Sequence, residues 1–110
     1  MRYLLLISAD EESAAEAMAA GHFDDFPAWL RDLEDRGVLQ VHAGLHPGST
    51  ATTVRVRDDE VLLTDGPFVE GRDQVGGLAL IECRDLDEAV AIAAGHPASR
   101  FGRIEIRPVR

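Results

Sequence analysis

A chain of 110 residues with 45% hydrophobic and 28% charged residues has the make-up of one globular domain with a single modest core, which argues against long disorder. Its formal charge of −9 repels phosphate backbones, so nucleic-acid binding by general electrostatics is not expected. All eleven basic residues are arginine and none is lysine, which excludes Schiff-base chemistry, covalent pyridoxal phosphate attachment and a P-loop lysine.

No apolar run approaches the roughly 20 residues that a membrane-spanning helix needs. The N-terminus lacks the basic start, apolar core and small-residue cleavage site of a secretory signal. The single cysteine, Cys83, has no partner for an internal disulfide, so the expected compartment is the cytoplasm. The charge is uneven: residues 10–35 are strongly acidic, while Arg100, Arg103, Arg107 and Arg110 make the C-terminal end basic.

Residues 2–8 are short and nearly all apolar, which predicts a strand buried on both faces. Asp10, Glu11, Glu12 and Ser13 follow as turn and cap material. Residues 14–20 have strong helix propensity, broken by Gly21. Residues 22–36 predict a second helical stretch, with Phe26, Trp29, Leu30 and Leu33 forming one apolar stripe. Asp24 or Asp25 is suited to cap it, Pro27 to sit in its first turn, and Gly37 to end it.

A strand is predicted over 38–45, with Leu39, Val41, Ala43 and Leu45 on one face and Gln40 and His42 on the other. After a loop through Pro47, residues 52–57 alternate as a strand, and Asp58-Asp59 turns the chain into another over 60–64. Next come Asp65, Gly66, Pro67 and Phe68. Asp65 has the chemistry to bond the backbone two residues on, Gly66 tolerates positive φ, and Pro67 presets its own φ. Residues 74–82 predict a long apolar strand carrying Gly76-Gly77, a pair that marks a bulge or a close backbone approach. Asp85 and Glu88 have capping-box spacing before a helix that runs through Ala94, and residues 103–109 close the chain as a strand. Hairpin-capable strands with two helices point to an α+β sandwich, with a mainly antiparallel sheet and both helices on one face.

Chemistry has few candidates. His22, His42, His46 and His96 are scattered, and His42 and His46, four apart on a strand, would be separated by roughly 13 Å. No metal site is expected. Cys83 ends an apolar strand, where an inert buried thiol is the common case. Gly76-Gly77 is not followed by a helix start, so packing outweighs phosphate binding there. An acid–base pair is the remaining option: Asp65 as carboxylate, with His22 or His46 as the base. The competing reading makes all four histidines surface or capping residues. Arg55, on the polar face of its strand, is suited either to an anionic ligand or to a surface acid.

The segments Leu4-Leu5-Leu6-Ile7, Ala51-Thr52-Thr53-Val54-Arg55-Val56-Arg57, Thr64-Asp65-Gly66-Pro67-Phe68, Gln74-Val75-Gly76-Gly77, Asp85-Leu86-Asp87-Glu88-Ala89 and Ile104-Glu105-Ile106-Arg107-Pro108 span almost the whole chain. Together they resemble the YCII-related family, in its DGPF-motif branch. The resemblance implies a ferredoxin-like fold that dimerises through its sheets into an α/β barrel. Many members carry a His–Asp pair in a cleft, a few relatives of the fold act on ring-opened or halogenated aromatic compounds, and others occur beside sigma factors. The family's helical histidine aligns with Phe26, with His22 one turn earlier on the same side. The motif tail, usually Glu-Thr-Lys-Glu-Gln, reads Glu70-Gly71-Arg72-Asp73-Gln74 here.

The expected molecule is a cytoplasmic homodimer with a cleft beside the Asp65–Phe68 loop and no cofactor. It would bind a small anionic or aromatic metabolite, with Asp65 and His22 (or His46) as the acid–base pair and Arg55, Phe68 and Gln74 contacting the ligand. The alternative is a non-catalytic regulatory module associated with a sigma factor.

Overall fold

The computed structural model describes residues 1–67 and 71–110. Along the chain these form β1 (Arg2–Asp10), α1 (Glu11–Ala19), α2 (Phe26–Asp35), β2 (Leu39–Gly44), β3 (Thr52–Arg57), β4 (Glu60–Asp65), β5 (Asp73–Glu82), α3 (Leu86–Ala94) and β6 (Arg103–Pro108). Short 3-10 turns occupy Gly48–Thr50 and Pro97–Arg100. The main sheet has the order β2-β5-β1-β6, every neighbouring pair antiparallel, while β3 and β4 form a separate two-stranded ribbon. This is the ferredoxin-like α+β arrangement, with the ribbon inserted between β2 and β5. Consecutive hairpins were expected from β2 onward, but only β3 and β4 pair that way. Pro47 and its 3-10 turn carry the chain out of the sheet, and β2 pairs with β5 across the insertion.

The alternation of β1 and β5 sets the core. Tyr3, Leu5, Ala79 and Ile81 are buried and pack with Leu33 of α2 and Ala89 and Ile92 of α3. Burying one such aliphatic side chain contributes on the order of 2 kcal/mol. Trp29 joins the two helices by donating its indole N–H to the Ile92 carbonyl at 2.9 Å. The reverse face of the sheet carries Leu4 and Leu6 opposite Leu80 and Leu78, with Val41 beyond them, and these side chains stay partly exposed.

Local chemistry explains the element ends. The Asp10 carboxylate accepts from Glu12 N–H at 3.1 Å and starts α1 three residues earlier than propensity suggests. α2 begins at Phe26, later than expected, and its N-cap residue Asp25 makes no side-chain capping bond. Asp85 caps α3 through Glu88 N–H at 2.9 Å. The Glu88 carboxylate does not complete a capping box; it pairs with Arg84 at 3.0 Å and lies 4.0 Å from Arg36. Asp58 and Asp59 both take positive φ, as a tight two-residue hairpin turn demands.

Two irregularities redirect side chains. Gly76 is an extra residue in β5 between the pairs Ile7–Gly77 and Ser8–Val75. A Cβ on Gly77 would stand 3.2 Å from the Ala43 carbonyl oxygen, so the glycine pair serves strand approach. In β2 the register slips between Leu39 and Val41, setting Val41 opposite Leu80 and His42 opposite Ala79. The slip overturns the expected single face of Leu39, Val41, Ala43 and Leu45: Val41 joins the reverse face and His42 the helix-covered one.

His96 is buried at 3% exposure. Its Nδ1 accepts from Ala98 N–H at 2.9 Å, and its ring lies 4.8 Å from Trp29 and 5.4 Å from Phe26. Burial among these rings lowers its pKa from 6.5 to about 4. The imidazole is therefore neutral in the folded protein, while the unfolded chain takes up a proton near pH 6.5.

Two predictions follow from this packing. As pH falls from about 6.5 toward 4 the unfolded state binds the extra proton, so His96 removes roughly 2–3 kcal/mol of stability across that window. Denaturant titrations at a series of pH values should show His96→Asn, which retains an acceptor for Ala98 N–H, to be less stable at neutral pH but flatter below it; an unchanged slope would contradict the assignment. Gly102→Ala would drive a Cβ into the Ser8 carbonyl oxygen and to 2.8 Å from the Ala9 Cβ. Calorimetry should show it destabilised by roughly 2–3 kcal/mol.

Candidate functional site

The start of α1, the loop over 45–51, the end of β4 and the start of β5 converge on one edge of the molecule and enclose two adjoining clefts. The first, about 450 Å³, is lined by Asp10, Glu11, Asp65, Arg72 and Gln74 among others. The second, about 460 Å³, is walled by Leu45, His46, Pro47, Ala51 and Val75. Gly48, Pro67 and Gln74 belong to both and form the waist between them.

Each wall is tied down by backbone chemistry. Gly66, at φ +105, donates its N–H to the Ala51 carbonyl at 2.7 Å, and Thr53 Oγ1 donates to the Gly66 carbonyl at 2.8 Å. Glu11 Oε1 accepts from Gly48 N–H at 2.8 Å, which fastens the loop to the start of α1. Arg72 pairs with the Asp10 carboxylate at 3.0 Å, closing the far side. Gln74 Nε2 donates to the Gly71 carbonyl at 2.8 Å, and a Cβ on Gly48 would approach Gln74 Oε1 to 3.0 Å. Glycine at 48 therefore keeps the waist open.

The expected turn bond from Asp65 to the backbone two residues on is not made, because Pro67 has no N–H to donate. Gly66 and Pro67 make the turn without it, and among the described residues the exposed Asp65 carboxylate makes no hydrogen bond or ion pair. The carboxylate is thus left available beside the waist. Arg72 is neutralised by Asp10, so Glu11 and Asp65 give the first cleft a net acidic character. The second is mainly apolar, with His46 as its imidazole.

The other expected site residues are distributed unequally. His46 and Gln74 share the cleft walls with Asp65 or with its neighbour Pro67. His22 lies in the turn after α1, at the opposite end of that helix from Asp10 and Glu11, and is not a lining residue. Arg55 stands in mid-ribbon opposite Leu62, outside both clefts. Phe68 lies outside the described residues. Asp10, Glu11 and Arg72 were read as cap and motif-tail residues; only the fold shows that a helix start and a strand start meet there. His42 contacts Phe26 at a ring distance of 6.0 Å, away from the clefts.

Among the described residues no group of three or more His, Cys, Asp or Glu side chains is placed to hold a metal ion. Burial, reinforced by Glu88, pushes the Cys83 thiol up from its usual value, and its Sγ donates to the Asp85 carbonyl at 3.5 Å. It is therefore a poor nucleophile. Among the described residues no helix is long and apolar enough to cross a membrane.

Comparison with known proteins agrees with this architecture. An uncharacterised protein of Rhizobium meliloti (strain 1021) is 36% identical over 89 residues, covering 77% of this chain and 70% of the relative. The solved structure of 5-chloro-2-hydroxyhydroquinone dehydrochlorinase (TftG) from Burkholderia phenoliruptrix AC1100, in complex with 2,5-dihydroxybenzoquinone, superposes with a TM-score of 0.55 at 17% identity. That likeness covers 100% of this chain and 94% of the neighbour, and it speaks for the fold. The family model for the YCII-related domain matches residues 1–110. The chain belongs to the YCII-related family.

Proposed function

We propose that the paired clefts bind a small hydroxylated aromatic or quinone-like molecule and perform cofactor-free acid–base chemistry on it. The observation that carries this reading is the Asp65 carboxylate, unpartnered among the described residues, in an acidic opening that adjoins an apolar slot. A ring would lie against Leu45, Pro47, Ala51 and Val75, with its hydroxyl groups toward Asp65 and Gln74. The acidic lining disfavours a carboxylate ligand, because Arg72 is already paired and Arg55 stands outside the cleft. The dehydrochlorinase with a dihydroxybenzoquinone in its structure lends this ligand class support through shared fold.

In the proposed chemistry Asp65 accepts a hydroxyl proton from the ring, and the oxyanion's electron pair moves into the ring system. His46 delivers a proton to a ring carbon or to a departing group. With the proton returned to carbon the net change is tautomerisation; with a leaving group expelled it is elimination. His22 would require a different arrangement, since it sits at the far end of α1. We place the activity in the cytoplasm, where a lone buried thiol such as Cys83 stays reduced. A second reading, a regulatory module that engages a sigma factor, is favoured by one observation, the exposed aliphatic face of the β3–β4 ribbon.

Thermal-shift measurements with 2,5-dihydroxybenzoquinone and a panel of hydroxylated aromatics test the first reading. A ligand present at about 100 times its Kd should stabilise the native protein by about 2.7 kcal/mol. Asp65→Asn should lose most of that shift, whereas His46→Gln should keep binding and lose turnover of any compound that reacts. No shift across the panel, or an equal shift in Asp65→Asn, would defeat it.

A further inference from the structure

We infer that Arg72 is the catalytic cation of the first cleft: it leaves Asp10 to hold the ring oxyanion formed when Asp65 takes a hydroxyl proton. The inference rests on the proposed acid–base reading of the clefts and supplies a group which that chemistry needs. A phenol is a much weaker acid than a carboxylic acid. A ring hydroxyl therefore gives its proton to a carboxylate only where a positive group stabilises the oxygen left behind. The need is sharper here, because Asp10, Glu11 and Asp65 all line the cleft. The chain has no lysine. Among the described residues that line either cleft, Arg72 is the single guanidinium.

The Asp10–Arg72 pair is built to open from one side. Asp10 is the fixed member. Its Oδ1 accepts from Glu12 N–H at 3.1 Å, its Oδ2 accepts from Ser13 Oγ at 3.5 Å, and its side chain is 23% exposed. Arg72 is the loose member. It stands on the bend ahead of β5, its side chain is 87% exposed, and its Nη2 alone meets Asp10 Oδ2, at 3.0 Å. A guanidinium carries five N–H donors in a planar fork, so one contact leaves most of them unused. An exposed, single-contact ion pair adds little to stability. The helix cap keeps Asp10 bonded when Arg72 departs.

Protons and charge balance in the exchange. The ring O–H bond breaks, a new O–H bond forms on the Asp65 carboxyl group, and one negative charge passes from Asp65 to the ring oxygen. Arg72 keeps all its protons and changes only its partner. A neutral hydroxyl does not draw a guanidinium from a carboxylate, whereas an oxyanion competes for it. The stabilisation therefore arises as charge develops and not on binding, which is the condition for it to speed the reaction.

Absorbance titrations with 4-nitrophenol, whose oxyanion absorbs visible light, test this through the ratio of ionised to protonated phenol in the bound state. Arg72→Gln should lower that ratio about tenfold or more, and Arg72→Lys should recover part of the loss. Asp10→Asn, which keeps an acceptor for Glu12 N–H, should raise the ratio. Loss of one carboxylate charge by itself would raise it equally with or without Arg72. If Asp10 acts by holding Arg72, Asp10→Asn should change the ratio by less than about twofold in the Arg72→Gln background. Without ligand, Arg72→Gln should melt within about 3 °C of the wild type. A larger fall in melting temperature, shifts of the same sign in the two single variants, or an additive double variant makes the pair a structural tie and overturns the inference. Phenol that binds with unchanged ionisation in Arg72→Gln overturns it too, yet leaves the proposed ligand class standing. No binding of 4-nitrophenol or of the other hydroxylated aromatics defeats that ligand class and the inference with it.

Discussion

The double pairing of β1 is the constraint on which the rest of the molecule depends. It hydrogen-bonds β5 on one side and β6 on the other, so its backbone polar groups are satisfied while its side chains stay almost wholly apolar. Alternation then sends Tyr3 and Leu5 into a core beneath α2 and α3, and Leu4 and Leu6 onto the reverse face. A strand of this composition forces the fold to present an apolar surface twice, and one layer of helices covers it once. The bulge at Gly76 arises in the same partnership, where β5 must carry one residue more than β1 to reach the cleft edge.

The cleft follows from where these strands end. β1 runs directly into α1, so Asp10 and Glu11 arrive at the edge as capping and tethering carboxylates. β5 starts beside them with Asp73 and Gln74, and the inserted ribbon returns the chain at Asp65. Three of the carboxylates at this edge have structural partners: Asp10 binds Arg72, Glu11 holds Gly48, and Asp73 lies 3.6 Å from Arg103. Asp65 differs because glycine and proline build its turn without it. A carboxylate in a concave site with no partner among the described residues is the kind of group on which acid–base chemistry is built.

The histidines divide on the same physical grounds. His96 has its Nδ1 committed to a backbone N–H and its ring enclosed by aromatics, so it stabilises the junction of α2 and the α3–β6 connection as a neutral group. His42 is turned toward that same aromatic cluster by the slip in β2. His22 closes the turn after α1, where its backbone N–H donates to the Ala17 carbonyl at 2.9 Å. Among the described residues only His46, of the four histidines, lines a cleft adjoining the one that Asp65 lines.

By itself the sequence determined the elements that local chemistry controls. Alternating apolar residues specified the strands, Asp85 the start of α3, Asp58-Asp59 the ribbon turn, and Gly76-Gly77 a bulge, because each depends on neighbours within a few residues. The order of strands and helices was enough for an α+β sandwich, the family resemblance implied the ferredoxin-like fold, and Asp65 was legible as a carboxylate fixed at a strand end. Tertiary structure alone decided the partners. It detached β3 and β4 from the main sheet, turned His42 through a one-residue slip, and buried His96, because these outcomes depend on residues dozens of positions away. It also brought Asp10, Glu11 and Arg72 to the Asp65 edge and left His22 elsewhere. Spacing along a chain constrains what a helix or strand presents, but which ends meet is set by the packing of the whole sheet.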